Sequence, residues 1–230
     1  MKELLQGKVK TVYDTEDADN VLIEFHDKVT AGNGRKVDFP EGKGEVCCQI
    51  SAILFEKIAK VGVKTHYLGA DGNKMRCKRV DIVPIEVVCR NLAAGSIVRE
   101  TTFEEGMSFY PPLVEFYLKD DAKDDPLLTP DRVRLMGHNP YDYIGITQLI
   151  NVTLKSIFDE MDIDLVDFKL EFGRTSSGDL IVADEISPDS MRLWKKGTQE
   201  SMDKDLFRKD KGDIIKAYGE ILTSLLNIDI

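Results

Sequence analysis

Between Val166 and Arg174, apolar Val166, Phe168, Leu170 and Phe172 alternate with Asp167, Lys169 and Glu171. A period of two fits a β-strand that buries one face and presents acid, base and acid on the other. After a short interval, Leu180-Ile181-Val182-Ala183-Asp184-Glu185 forms an apolar run ending in two acids. Paired as a hairpin around Ser177-Gly178, the segments set Glu171 opposite Asp184, with Cβ atoms about 5 Å apart. Carboxylates that close repel unless a cation, a proton or a basic side chain compensates, and a hard oxygen site for Mg²⁺ is the economical answer. Two alternatives stand: Lys169 neutralises the pair without a metal, or the acids are merely solvated at the hairpin mouth. A one-residue slip in register would turn Asp184 away.

Composition narrows the classes. The 230 residues are 42% hydrophobic and 31% charged, as in a globular protein with a substantial core. A formal charge of −10 and no basic block argue against a nucleic-acid or anionic-membrane partner. No apolar run approaches the roughly 20 residues of a membrane span. The start, Met1 to Gly7, lacks the apolar core of a secretory signal, so the expected location is the cytoplasm. Cys47, Cys48, Cys77 and Cys89 show no C-x-x-C pairing and read as reduced core thiols.

Short β-branched and aromatic segments predict strands at 9–13, 21–25, 65–68, 74–78 and 82–88. Apolar residues at three- and four-residue steps predict helices over 45–61, closed by Gly62, over 146–161, and over 214–225. The pattern is α+β: a small β-rich lobe over residues 1–82, a larger α+β lobe over 83–230, and a ligand cleft between them. Gly32, Gly34, Gly42 and Gly44 punctuate a polar stretch expected to be a mobile loop.

Three further constellations carry possible chemistry. Lys8 and Lys10 alternate after Gly7, which suits a lysine-blunted, solvated edge strand or two ammonium groups facing nucleotide phosphates. Arg90 ends a strand, and Ser96 precedes Ile97-Val98-Arg99; together they make an anion pocket, or Ser96 simply caps a helix. Phe116 to Pro126 reads as a charged loop, hydrated or substrate-facing. His26, His66 and His138 are scattered without metal-ligand spacing.

Gly7-Lys8-Val9-Lys10, "VPIEVVCRNLAAGS" at 83–96, "FYLKDDAKDDP" at 116–126, "VDFKLEFGR" at 166–174, "ADEISPDSMRLW" at 183–194 and "DKDLFR" at 203–208 together resemble the phosphoribosylaminoimidazole-succinocarboxamide synthase (SAICAR synthetase) family, in order and spacing across nearly the whole chain. The resemblance implies a two-lobed fold whose N-terminal lobe is similar to those of kinases and ATP-grasp enzymes. It implies an ATP-dependent ligase of purine biosynthesis that converts CAIR and L-aspartate to SAICAR, with ADP and phosphate released. On this resemblance Lys8, Lys10 and Val12 would face ATP, Val80, Asp81 and Ile82 would lie against adenine, and Glu171 and Asp184 would hold Mg²⁺. Arg90 and Ser96 would hold the CAIR phosphate, with Arg192 nearby and Lys119, Asp125, Asp167 and Lys169 on the substrate side. Lys10, Lys169, Glu171 and Asp184 would then carry the chemistry, in a homodimer or larger homo-oligomer. The rival is a small-molecule kinase, which shares the lysines and carboxylates but forms no amide.

Overall fold

The computed structural model describes residues 2–32 and 34–228. Strands β1 (Glu3–Gln6), β2 (Lys10–Asp14) and β3 (Asn20–Phe25) open the chain, followed by a hairpin of β4 (Val29–Ala31) and β5 (Lys36–Asp38). Helix α1 (Lys43–Lys60) comes next, then β6 (Tyr67–Asp71) and β7 (Lys74–Lys78). An antiparallel sheet takes the order β1-β2-β3-β7-β6. The chain then passes to a second sheet at β8 (Asp81–Leu92). Beyond β8 lie α2 (Ser96–Glu100), β9 (Ser108–Leu118), β10 (Leu127–Leu128), α3 (Pro130–Leu135), α4 (Pro140–Glu160), β11 (Ile163–Arg174), β12 (Leu180–Ala183), β13 (Met191–Lys195), α5 (Asp205–Arg208) and α6 (Ile214–Leu226). The second sheet runs β10-β9-β8-β11-β12, with β13 paired to the first half of β11. Among the described residues no helix is long and apolar enough to cross a membrane.

Each central strand of the second sheet has an apolar and a charged face. Ile85, Val87 and Cys89 of β8 and Phe168, Leu170 and Phe172 of β11 are buried. They lie on the side covered by α4, where Tyr143 meets Phe172 edge-on with ring centroids 5.0 Å apart. The three long helices follow their periodicity. Helix α1 covers the first sheet and packs on α6, and Gly62 stands just past its end at φ 88°, the left-handed conformation that glycine adopts freely. All four cysteines are free and buried.

Several expectations need correction. The glycine-punctuated stretch folds as the β4/β5 hairpin and the start of α1 rather than an open loop, although Asn33 lies outside the described residues. Lys36 fastens this hairpin, its Nζ donating to the Phe207 carbonyl and to Asp210 at 2.7 Å. Phe116 to Leu118 belong to β9, so the charged loop starts only at Lys119. Ser96 is the first residue of α2 and caps nothing; Gly95 precedes the helix.

The hairpin register also differs by one residue. Glu171 pairs with Ala183 and Phe172 with Val182. A two-residue turn centred on Ser177-Gly178 would give the other register, but Gly178 sits at φ 87° and its N–H donates to the Thr175 carbonyl at 2.9 Å. That is a type I turn followed by a left-handed glycine, which inserts one more residue into the loop. Asp184 therefore falls just outside β12, where its φ of 63° turns the chain.

Candidate active site

Despite the slip, Glu171 and Asp184 line the same cavity, of about 730 Å³. Gly7, Lys8, Val9, Lys10 and Val12 form one wall, while Lys119, Lys169 and Glu185 contribute to the others. Lys10 Nζ donates to Asp184 Oδ1 at 2.5 Å and to Glu185 Oε1 at 2.9 Å. Burial alone would depress the Lys10 ammonium, but the two carboxylates outweigh it and hold its pKa above the ordinary value. Asp184 is shifted upward by burial, reinforced by the charges of Glu171 and Glu185 and opposed by Lys10. Glu171 lies between Lys119, which donates to Oε2, and Lys169, which donates to Oε1 at 2.9 Å. Those two lysines overcome burial and lower its pKa to about 2.

Both acids have ammonium partners, but not a shared one: Lys169 pairs with Glu171 and not with Asp184, which takes Lys10 instead. Among the described residues no group of three or more His, Cys, Asp or Glu side chains is arranged to hold a metal. The donor chemistry still suits Mg²⁺, which commonly takes one or two carboxylates and completes its shell with water and substrate phosphates. Glu171 and Asp184 are two such carboxylates lining one cavity.

A second cavity, of about 570 Å³, opens along the charged face of β8, β9, β11 and β13. Arg90, 3% exposed, is at its centre. Its Nε donates to Glu115 at 2.6 Å, Nη1 to Asp167 at 2.9 Å and to the Ala94 carbonyl, and Nη2 to Ser96 Oγ at 3.0 Å and Tyr117 OH at 3.1 Å. All its N–H donors are thus engaged. Arg192 donates from Nη1 to the same Asp167 oxygen at 2.8 Å, while its buried Nε has no hydrogen-bond partner among the described residues. The guanidinium lies flat on Gly95, where an added Cβ would stand 2.5 Å from Nη2 and the φ of 70° also favours glycine. Asp125 lines this cavity too, its Oδ1 accepting the Asp120 N–H at 2.8 Å.

The two cavities share a wall that includes Lys8, Glu86, Lys169 and Lys204. Of the residues expected from sequence, Lys8 and Lys169 line both cavities, Lys10, Val12, Lys119, Glu171 and Asp184 the first, and Arg90, Ser96, Asp125, Asp167 and Arg192 the second. Lys119 lines the first cavity. Val80, Asp81 and Ile82 line neither; Val80 lies in the link between the two sheets, packed over Gly173, while Asp81 and Ile82 begin β8, paired with Arg174 and Gly173. Sequence reasoning gave no role to Glu185, Glu86 or Glu115. Period-two alternation placed Glu86 on the Arg90 face of β8, a signal that was present and unused.

Residues 3–225 match the family model described as SAICAR synthetase. The phosphoribosylaminoimidazole-succinocarboxamide synthase of Methanocaldococcus jannaschii is 48% identical over 220 residues, covering 94% of this chain and 90% of that one. Its counterpart from Staphylococcus carnosus is 43% identical over 230 residues, covering 98% of each. A solved SAICAR synthetase (type 2) in complex with ADP superposes with a TM-score of 0.93 at 39% identity, over 98% of both chains. The chain belongs to the SAICAR synthetase family.

Proposed function

We propose that the protein is an ATP-dependent ligase of purine biosynthesis that joins L-aspartate to the carboxylate of CAIR, releasing SAICAR, ADP and phosphate. The observation that carries this reading is the shared wall: a lysine-rich cavity and an arginine-rich cavity meet at Lys169. ATP would occupy the first, in keeping with the ADP complex of the structural relative. Residues 1–82 would form the nucleotide lobe, residues 83–230 the substrate lobe, and the Val80–Ile82 connection would lie against adenine. CAIR would enter the second cavity with its phosphate toward Ser96 and Arg192 and its carboxylate toward the seam. Arg90, whose donors are spent on protein groups, would act there mainly by its charge.

The chemistry explains the two-cavity arrangement. A carboxylate does not react with an amine near neutrality because oxide is a poor leaving group. Transfer of the γ-phosphoryl group to the CAIR carboxylate gives an acyl phosphate and ADP. The aspartate amine then attacks the acyl carbon, the C–O bond to phosphate breaks, and the amine loses a proton. Lys8, Lys10 and Lys169 stabilise charge on the transferring phosphoryl group from fixed positions. Mg²⁺, held by Glu171 and Asp184, would neutralise phosphate charge when bound. Exposed Leu135, Tyr141, Leu149 and Val152 on the surface of α3 and α4 support a homodimer or larger homo-oligomer, acting in the cytoplasm.

A coupled ADP-release assay with ATP, CAIR and L-aspartate omitted in turn tests the proposal. Full turnover should need all three, with amide product formed. ADP release from ATP and CAIR alone at the full rate, with no amide on adding aspartate, would identify a kinase instead.

A further inference from the structure

Three lysines border both cavities, and two of them are already neutralised. Lys8 donates to Asp121 at 2.6 Å, and Lys169 donates to Glu86 at 2.6 Å and to Glu171. The third is Lys204, at the start of α5, and among the described residues no hydrogen bond or ion pair reaches its ammonium. Burial lowers its pKa, and Arg208 and Lys43 oppose its charge further, while Asp189 and Glu185 favour it from a distance.

The neighbouring acids are occupied elsewhere. Asp189 accepts from Lys43 at Oδ2 and from Tyr218 at Oδ1 (2.9 Å). Glu185 accepts from Lys10 at Oε1 and from Ser187 Oγ at Oε2 (2.5 Å). The backbone around Lys204 is fastened on both sides. Asp203 Oδ2 accepts the Leu193 N–H at 2.8 Å and its Oδ1 accepts the Asp205 N–H at 2.7 Å, while Asp205 accepts from Arg208 at 2.6 Å. A lysine fixed at the junction of two cavities, with every nearby carboxylate spent, is a cation kept for an anion that the protein does not supply.

We propose that Lys204 binds a carboxylate of the incoming dicarboxylic amine, L-aspartate, at the seam where the acyl phosphate forms. This rests on the ligase reading above. The amine must reach the seam because the reacting carbonyl is there, and it brings two carboxylates into a cleft already filled with phosphate charge. Lys8 and Lys169 have protein acids to share; Lys204 has none. Arg99, also without a partner among the described residues, is an exposed residue of the second cavity alone.

The test is steady-state kinetics of the full chain with K204M and K204R, varying L-aspartate at saturating ATP and CAIR. K204M should raise KM for L-aspartate by about 10- to 100-fold, the loss of one charge-assisted hydrogen bond. KM for ATP and CAIR should stay within about twofold, and K204R should recover part of the loss. Succinate, a dicarboxylate without the amine, should compete with L-aspartate in the wild type and lose potency in K204M by a similar factor. ADP binding measured by thermal shift reports folding; if K204M fails it, K204Q takes its place. An unchanged KM for L-aspartate overturns the proposal, as does a rise confined to ATP, which would make Lys204 a phosphate contact. A fall in kcat at constant KM, with the acid limb of the pH profile abolished in K204R, also overturns it and makes Lys204 the proton acceptor. Failure of the wild type to form any amide would instead refute the ligase reading, so the two failures are separable.

Discussion

Asp167 is the residue on which the second cavity turns. One of its oxygens accepts from both Arg90 and Arg192, and only 3% of the residue is exposed. Asp167→Ala would leave two like charges facing each other away from solvent, a change expected to destabilise the fold by about 3–5 kcal/mol. Asp167→Asn keeps the shape and an acceptor and should cost less; urea unfolding of both variants checks the order. Alternation along the sequence was enough to find Asp167, Lys169 and Glu171, because strand period is a local property. Partnerships were not legible in the same way. Lys10 meets Glu185 across 175 residues of chain, and Lys43 meets Asp189 across 146. No spacing rule reaches that far, which is why Glu185 and Asp189 carried no assignment until the fold brought them to Lys10 and Lys43.

Among the elements, α1 was visible because its apolar residues recur at helical steps over many turns. Its first turn was not, because contact with β3 rather than periodicity decides it. An added Cβ on Gly44 would lie 2.5 Å from the Phe25 carbonyl oxygen and 2.9 Å from the His26 carbonyl carbon, both backbone atoms that cannot swing aside. The Asp27 carboxylate meanwhile accepts the Gly44 N–H at 2.8 Å and the Gly42 N–H at 2.9 Å, fixing the helix entry. Gly44→Ala, favourable by helix propensity alone, should therefore destabilise by about 1–3 kcal/mol through overpacking. Denaturant midpoints decide between the two signs. The β4/β5 hairpin escaped the sequence reading for the complementary reason: its strands are three residues each, too short for a period to register. The β11/β12 register was missed through its turn, since Ser177-Gly178 serves a two-residue or a three-residue loop, and only the hydrogen bonds of Thr175, which accepts from the Gly178 N–H and donates to the Asp179 carbonyl, distinguish them.

Across the whole molecule, the buried titratable groups set how stability depends on pH, and their signs differ. Burial, aided by the Lys10 charge, lowers His66 from the ordinary 6.5 to about 3. The unfolded chain takes up that proton first, so the His66 contribution falls as pH drops from about 6.5 to 3. Burial raises Asp203 from 3.8 to about 7, against its backbone N–H donors. There the folded chain holds the proton longer, so stability rises as pH drops from about 7 to 3.8. The two displacements are similar in size and opposite in effect, and they largely offset each other above pH 4. Glu171 and Glu185 are displaced from 4.5 to about 2, where burial is outweighed by Lys169 and Lys119 for the first and by Lys10 and Lys43 for the second. Asp205 reaches about 2 in the same way, through Arg192 and Arg208. Depressed carboxylates stabilise above their ordinary pKa, and this contribution is lost as pH falls through the folded value. Urea unfolding at constant ionic strength should accordingly show a near-flat plateau from pH 7 to 4.5 and a steep loss from 4.5 toward 2. His66→Phe removes one of the two offsetting contributions, so its plateau should tilt, with stability rising as pH is lowered from 7 to 4.5. A His66→Phe plateau as flat as the wild type would mean that Asp203 is ionised in the folded protein near neutrality, held by the Leu193 and Asp205 N–H groups rather than by a proton.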